Sequence, residues 1–161
     1  MQEVFTNTEV VAKWATRTEN KGRNKRGNLF FEGGILYSYG RHCIAARFMS
    51  NDNGDQAVFI NDSDFSVTSN GHANIAMFMT SDYKQFFSTD TDYYLVKEKL
   101  DYLLGEAEKD KGNDSYAKSA VEVYTKYNEH REWCGGYEKK ANMILKRIVG
   151  KISRLGGSPF A

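Results

Sequence analysis

The sequence has little proline or cysteine, almost no net charge, and no long apolar run. One proline and two cysteines occur in 161 residues. A chain of this length can bury about two-thirds of its unfolded surface, so it needs no disulfide framework. With 22 basic and 21 acidic residues, no overall charge steers the chain to nucleic acid or to a membrane. No apolar run approaches the ~18 residues of a membrane span, and we expect a soluble protein with Cys43 and Cys134 as free thiols.

Aromatic residues, in contrast, are frequent, and many lie between Gly27 and Met49. They make up 14% of the chain, and aromatic and β-branched residues suit the half-buried surface of a sheet. Gly33 and Gly34 can take the positive φ angles of a two-residue turn, which predicts a hairpin. The sequence therefore predicts an α+β fold with a small antiparallel sheet of about three to four strands under covering helices. The predicted strands are Leu29–Glu32, Ile35–Tyr39, His42–Phe48 and Gln56–Asn61.

Helical periodicity appears on both sides of these strands. Thr6–Thr18 is predicted to be a helix that Thr6 or Thr8 caps. Phe65–Thr80 is predicted to be a helix covering the sheet, although apolar alternation within it also permits a strand. From Asp90 onward the apolar spacing is helical and predicts up to three helices. We expect an α+β domain at 1–89, an antiparallel helical hairpin or three-helix extension at 90–156, and a loose tail at 157–161.

The histidines and cysteines form no recognisable catalytic or metal site. His130 and Cys134 lie one turn apart on a predicted helix, but a zinc site needs two further ligands and no second pair is nearby. His42 and Cys43 are adjacent on a predicted strand, so their side chains point to opposite faces. We therefore expect no catalytic residue, no metal and no cofactor in a protein that is not an enzyme.

The polar stretch Glu19–Asn28 is predicted to be a basic loop. It contains no apolar residue, and several cations in one loop could contact phosphates together. Aromatic residues of the sheet, among them Phe31, Tyr37 and Tyr39, could then stack bases. The alternative is a solvated loop beside a sheet whose aromatic residues face the core. The cations of the loop are Lys21, Arg23, Lys25 and Arg26.

The last predicted helix is also basic. Its cations could dock against the acidic stretch Asp90–Asp114 in an antiparallel helix pair, or they could present a basic face to nucleic acid or to an acidic partner. Both interpretations stay open from the sequence. The four residues we assign to a candidate binding surface are Lys146, Arg147, Lys151 and Arg154.

Three segments of the first half resemble a class of small uncharacterised proteins encoded by phages and other mobile elements. The matching segments are Gly27–Gly33 (GNLFFEG), preceded by Trp14 and Arg17, then Tyr37-Ser38-Tyr39-Gly40-x-His42 and Ser66-Val67-Thr68. The class has no activity that can be transferred. The resemblance implies an origin instead, namely an accessory protein of a phage or mobile element that works in the cytoplasm of a bacterial host.

These observations together predict a non-catalytic protein that binds and inhibits or modulates a host macromolecular machine. One concrete version is an anti-defence protein that blocks a CRISPR nuclease complex, so its partner would be a host protein or ribonucleoprotein complex. The alternative is a nucleic-acid-binding protein that uses loop 21–26 and the basic last helix. A homodimer is a further alternative, since the apolar helical stripes Tyr93–Ala107 and Ala141–Ile152 could pair across two copies.

Overall fold

The computed structural model describes residues 4–63, 67–135 and 139–157 of the chain. The chain divides into two compact units, Met1–Ser88 (unit 1) and Thr89–Ala161 (unit 2), and each has a hydrophobic core of its own. Among the described residues, no helix combines the length and the apolar character that crossing a membrane requires.

Unit 1 contains one sheet of seven strands whose spatial order follows the chain. The outer pairs β1–β2 and β6–β7 are parallel, and the pairs between them are antiparallel. The α+β character is present, but the predicted small antiparallel sheet is wrong because the sheet is larger and mixed. The strands are β1 (Val4–Phe5), β2 (Lys21–Asn24), β3 (Leu29–Glu32), β4 (Ile35–Ser38), β5 (Ile44–Ser50), β6 (Gln56–Ile60) and β7 (Lys84–Phe87).

The strands that the sequence did not predict are β1, β2 and β7. β2 has the sequence Lys-Gly-Arg-Asn and lies inside the segment predicted to be a basic loop, and β1 has two residues. Strand pairing joins backbone N–H and C=O groups, which every non-proline residue carries, so a polar segment can enter a sheet without an apolar signature. The middle of the sheet, with the β3–β4 hairpin and β6, was predicted from its aromatic and β-branched residues.

Both helices of unit 1 connect parallel strands. α1 (Asn7–Thr16) connects β1 to β2, and α2 (Val67–Met79) connects β6 to β7. Four antiparallel pairings separate β2 from β6, so these two strands run in the same direction. All four strands of the two parallel pairs therefore run in one direction, and both crossovers lead to the next strand on the same side. With the right-handed crossover that proteins favour, the two helices must lie on the same face. Residues of both helices belong to one core cluster.

The predicted first helix is confirmed, and Thr6 caps it. Glu9 N donates to Thr6 Oγ1 at 3.3 Å, and Thr6 N donates to the Glu9 carboxylate at 3.4 Å, which completes a capping box. On the buried side of α1, the Trp14 indole N–H donates to the Gly34 carbonyl at 2.9 Å. This bond ties the helix to the turn between β3 and β4.

The core of unit 1 lies between these helices and one face of the sheet. Val10, Val11 and Trp14 of α1 are almost fully buried, as is Phe31 of β3. The helix predicted within Phe65–Thr80 is confirmed as α2, and its Phe65 and Ser66 lie outside the described residues. The other buried members of this core are Leu29, Leu36, Ala45, Ala46, Val58, Ile60, Ala73 and Ala76.

Unit 2 is helical. The short α3 (Ser88–Thr91) leads into α4 (Tyr93–Lys109), α5 (Ser115–Cys134) and α6 (Lys139–Leu155), and these three pack pairwise. Asp92 caps α4 by accepting a hydrogen bond from Leu95 N at 3.0 Å. Beyond Gly157, the predicted loose tail lies outside the described residues. The buried core consists of Val96, Leu100, Ala107, Ala117, Ala120, Tyr127, Leu145, Ile148 and Ile152.

One chemical change, glycine to alanine, is expected to have opposite effects at two positions of unit 1. In Gly22→Ala, the new Cβ would lie 2.8 Å from Cε1 of the buried Phe31 ring, and the overpacking should lower the free energy of unfolding by about 1–3 kcal/mol. Gly71 lies inside α2 with open space around its missing Cβ, so Gly71→Ala should raise that free energy by about 0.5–1 kcal/mol. Urea denaturation measures the free energy of unfolding of both variants. Changes of the same sign in the two variants would contradict this packing.

Candidate functional site

The sheet of unit 1 has a second face that α1 and α2 do not cover, which we name the open face. Its side chains alternate along the strands with those that face the core. The register places Arg23 beside Phe30 and Phe30 beside Tyr37, while Ile35 lies beside Arg47 and Arg47 beside Phe59. All are half-buried or exposed. We define the open face by Lys21, Arg23, Phe30, Glu32, Ile35, Tyr37, Arg47 and Phe59, with Arg41 lying over Phe30.

Aromatic rings and cations alternate on the open face. Phe30 and Tyr37 form a stacked pair with ring centroids 5.1 Å apart and an interplanar angle of 25°. The Arg41 guanidinium lies 5.9 Å from the centroid of the Phe30 ring, and the Arg47 guanidinium lies 5.4 Å from that of Phe59. Such positions allow cation–π attraction, which holds charged groups next to aromatic surface.

The open face carries an excess of positive charge. Glu32 is the only acidic residue in the seven strands, and both of its carboxylate oxygens accept hydrogen bonds from Arg41. The hydrogen bond to Glu32 and its negative charge raise the pKa of Arg41, so this guanidinium stays charged. The other cations of the open face are Lys21, Arg23 and Arg47.

The structure divides the predicted basic loop between two places. Lys21 and Arg23 belong to β2 and lie on the open face, so the prediction of a loop is wrong for them. Lys25 and Arg26 are exposed in the turn that follows β2. The sequence placed Phe30 in the sheet but did not predict a stacking role for it, and it did not predict Arg41 or Arg47 as site residues. The alternation of buried and half-exposed residues along β3 carries a signal for Phe30.

The three predicted stacking residues have different positions. Tyr37 lies on the open face in contact with Phe30. Phe31 is fully buried against α1, so its predicted exposure is wrong. Tyr39 follows β4 with φ +63°, and its side chain is 49% exposed.

The four predicted cations of α6 form one exposed stripe. Their spacing along the helix places Lys146, Arg147, Lys151 and Arg154 on the side opposite the buried Leu145, Ile148 and Ile152. None of the four forms an ion pair within the described part of the chain. They line an open groove of about 560 Å³, with Gly150 at its centre. We name these four residues the α6 stripe.

Apolar contacts, not charge pairing, hold α6 in unit 2. Two ion pairs of α4, Lys97–Asp101 and Lys109–Glu106, join residues of that same helix, and a third joins Lys99 to Asp90 of α3. A polar link between α5 and α6 comes from Tyr124, whose hydroxyl donates to the Asn142 side-chain oxygen at 2.6 Å. The docking of basic α6 on acidic residues is therefore not how these described helices pack.

A buried polar cluster in unit 1 contains a serine and a histidine in contact. Ser38 Oγ lies 2.8 Å from His72 Nδ1 and 3.1 Å from Ser69 Oγ. His72 is 2% exposed, its Nε2 has no hydrogen-bond partner among the described residues, and burial lowers its pKa. Ser38 is fully buried, so no substrate can reach its hydroxyl in this conformation. The cluster acts as a core contact between β4 and α2.

Cys43 and Cys134 form no disulfide in the described structure, and they lie far from one another in sequence. Burial raises the pKa of the half-buried Cys43 thiol, which reduces the thiolate that a nucleophile requires. Cys134 Sγ lies 3.4 Å from His130 Nε2 on the exposed end of α5. The described residues contain no group of three or more His, Cys, Asp or Glu side chains that could hold a metal ion.

No protein-family model matches the chain, and neither a curated protein nor a solved structure shows significant similarity to it.

The buried histidine should make the stability of unit 1 depend on pH. Because the pKa of His72 is lowered from 6.5 in the folded state, the unfolded chain binds a proton below pH 6.5 that the folded chain does not bind. The free energy of unfolding should therefore fall as the pH drops below that value, with a slope of at most about 1.4 kcal/mol per pH unit for one group.

Urea denaturation followed by Trp14 fluorescence in a Trp133→Phe background measures this dependence between mildly acidic and neutral pH. His72→Gln should flatten the slope, whereas His42→Gln, at an exposed histidine, should leave it unchanged. Equal slopes in the wild-type protein and in His72→Gln would contradict the assignment.

Proposed function

We propose that the open face binds single-stranded nucleic acid without strict sequence preference. The observation that supports this most is the stacked Phe30–Tyr37 pair, half-exposed on a face that also carries the cations Lys21, Arg23 and Arg47. The proposal corresponds to the nucleic-acid alternative that the sequence left open, with Lys21 and Arg23 retained. It retains Tyr37 as a stacking residue and adds Phe30, which stacks on it.

The chemistry of the open face fits unpaired bases better than a duplex. Base–aromatic stacking contributes about 1–3 kcal/mol per base and tolerates every base, because each has a π-face. In a duplex these faces are already stacked on their neighbours, so a flat aromatic sheet cannot reach them. The cations of the open face attract the phosphates of the bound strand, so the affinity depends on the salt concentration.

The α6 stripe is proposed to contribute a second phosphate-binding surface. Its four cations have no ion-pair partner among the described residues and stand along one side of a helix, as polyanion contacts require. It lacks aromatic residues among its described lining residues, so it offers charge without stacking. The two surfaces belong to different units, and each is tested separately.

Inhibition of a host machine, an anti-defence activity and an origin in a phage or mobile element stay predictions from the sequence, as does the location in a bacterial cytoplasm. A protein surface could also occupy the open face, because aromatic residues and arginine are enriched where proteins bind one another. Binding to a purified oligonucleotide separates the two cases, since a protein-specific face would show no stacking contribution.

Removing the two stacking rings should weaken binding of single-stranded DNA. The double variant Phe30→Leu/Tyr37→Leu keeps apolar volume on the open face but removes both π-faces, so the dissociation constant should rise at least about tenfold. Fluorescence anisotropy with a labelled oligothymidine measures it. The matched control is Tyr94→Leu/Tyr102→Leu, which removes two exposed rings of α4. Equal affinities of the two variants would refute the stacking role.

Neutralising the cations should change the salt dependence of the same binding. Each phosphate contact to a single strand contributes about −0.7 to the slope of log K against log salt concentration. Lys21→Gln/Arg23→Gln/Arg47→Gln should therefore make the slope shallower by up to about 2. Neutralising the α6 stripe in Lys146→Gln/Arg147→Gln/Lys151→Gln/Arg154→Gln should also make the slope shallower, and an unchanged slope would contradict its role. Lys118→Gln/Lys126→Gln serves as the surface control. An unchanged slope in the first variant would argue against phosphate contacts at the open face.

A further inference from the structure

A cleft of about 240 Å³ lies in unit 1 where the turn after β2 meets the first residues of α1 and α2. Two cations, Lys25 and Arg26, line it, and neither forms an ion pair within the described chain. None of its described lining residues is acidic. The net charge of the described lining residues is therefore positive.

A buried asparagine fixes the orientation of the neutral groups in this cleft. The backbone N–H of Leu29 donates to Asn24 Oδ1 at 3.2 Å, which identifies the other terminal atom of Asn24 as its nitrogen. That nitrogen donates to Asn7 Oδ1 at 2.7 Å and to Asn28 Oδ1 at 2.6 Å. Asn24 is 4% exposed, so the donor of both bonds is buried, whereas Asn7 is exposed and Asn28 is half-buried.

These bonds determine which side-chain groups of Asn7 and Asn28 stay available to a ligand. Both amide oxygens are used by Asn24, so the groups these two residues still have to offer are their NH₂ donors. Neither NH₂ group donates to another residue of the described chain. Together with the Lys25 ammonium and the Arg26 guanidinium, the cleft presents many hydrogen-bond donors and few acceptors.

We propose that this cleft binds a phosphate group. Phosphate is an anion with several acceptor oxygens, and it forms its strongest hydrogen bonds to charged nitrogen donors. The Lys25 ammonium and the Arg26 guanidinium contribute charge, and the NH₂ groups of Asn7 and Asn28 contribute neutral donors. The phosphate can be free or carried by a nucleotide, and the site does not depend on whether the open face binds nucleic acid.

The probe is inorganic phosphate, titrated into the full-length protein at constant ionic strength. ¹H–¹⁵N NMR follows the side-chain NH₂ signals of Asn7 and Asn28, which should shift in a saturable way. Adenosine 5′-monophosphate and adenosine form the second pair of titrations. Saturation by inorganic phosphate identifies free phosphate as the ligand, and saturation by the monophosphate but not by adenosine identifies a phosphate carried on a nucleoside; either result supports the site.

Two variants test which groups hold the phosphate. Lys25→Gln/Arg26→Gln removes both cations, and Asn28→Asp keeps the oxygen that Asn24 binds while replacing the NH₂ donor by a carboxylate oxygen. Each should weaken binding at least about tenfold, because charge-assisted hydrogen bonds are lost or replaced by repulsion. The control Lys118→Gln/Lys126→Gln removes the same charge from exposed α5 and should bind as the wild-type protein does.

The proposal is overturned if neither phosphate nor the monophosphate saturates, or if both variants bind like the control. Its failure is separate from a failure of the open face. Inorganic phosphate carries no base to stack, and Phe30→Leu/Tyr37→Leu should leave its binding unchanged.

Discussion

The two parallel strand pairs at the ends of the sheet determine how unit 1 is built. A parallel pair needs a crossover connection, and here the crossovers are α1 and α2. Because they share one direction and one favoured handedness, both helices cover the same face. The apolar residues of that face are consequently buried with Trp14 and its neighbours. On the other face the side chains of β2–β4 are half-buried or exposed, whereas Ala57 of β6 and Phe86 of β7 are buried. The open face is thus a result of topology.

An exposed face made only of apolar side chains would promote self-association, because contiguous apolar patches bind one another. The aromatic residues of the open face are instead interleaved with Arg41, Arg47 and the cations of β2. Arg41 donates hydrogen bonds to the carboxylate of Glu32, so the negative charge of Glu32 is paired with a cation of the same face. At the end of β2, the buried Asn24 satisfies its own hydrogen bonds and at the same time turns the donors of Asn7 and Asn28 away from itself. Both features concentrate hydrogen-bond donors and positive charge on unit 1.

Unit 2 follows a simpler rule. Each of its three long helices buries one apolar stripe, and the stripes meet in a single core. In α6 this leaves a face occupied by Met143 and basic residues, and Gly150 keeps the centre of that face free of a side chain. The cations of the α6 stripe form no ion pair with the described residues of unit 2.

Local patterns in the sequence were sufficient for the helices α1, α2 and α4–α6 and for the β3–β4 hairpin. A helix is specified by residues within a few positions of one another, as the capping box of Thr6 and Glu9 illustrates, and a glycine turn likewise acts locally. Only the tertiary structure decided that Lys21–Asn24 is a strand, that Phe31 is buried while Phe30 is half-exposed, and that Asn7 and Asn28 share the nitrogen of Asn24. These outcomes depend on backbone pairing and on contacts between residues distant in sequence, whose register and partners no short stretch of side chains encodes.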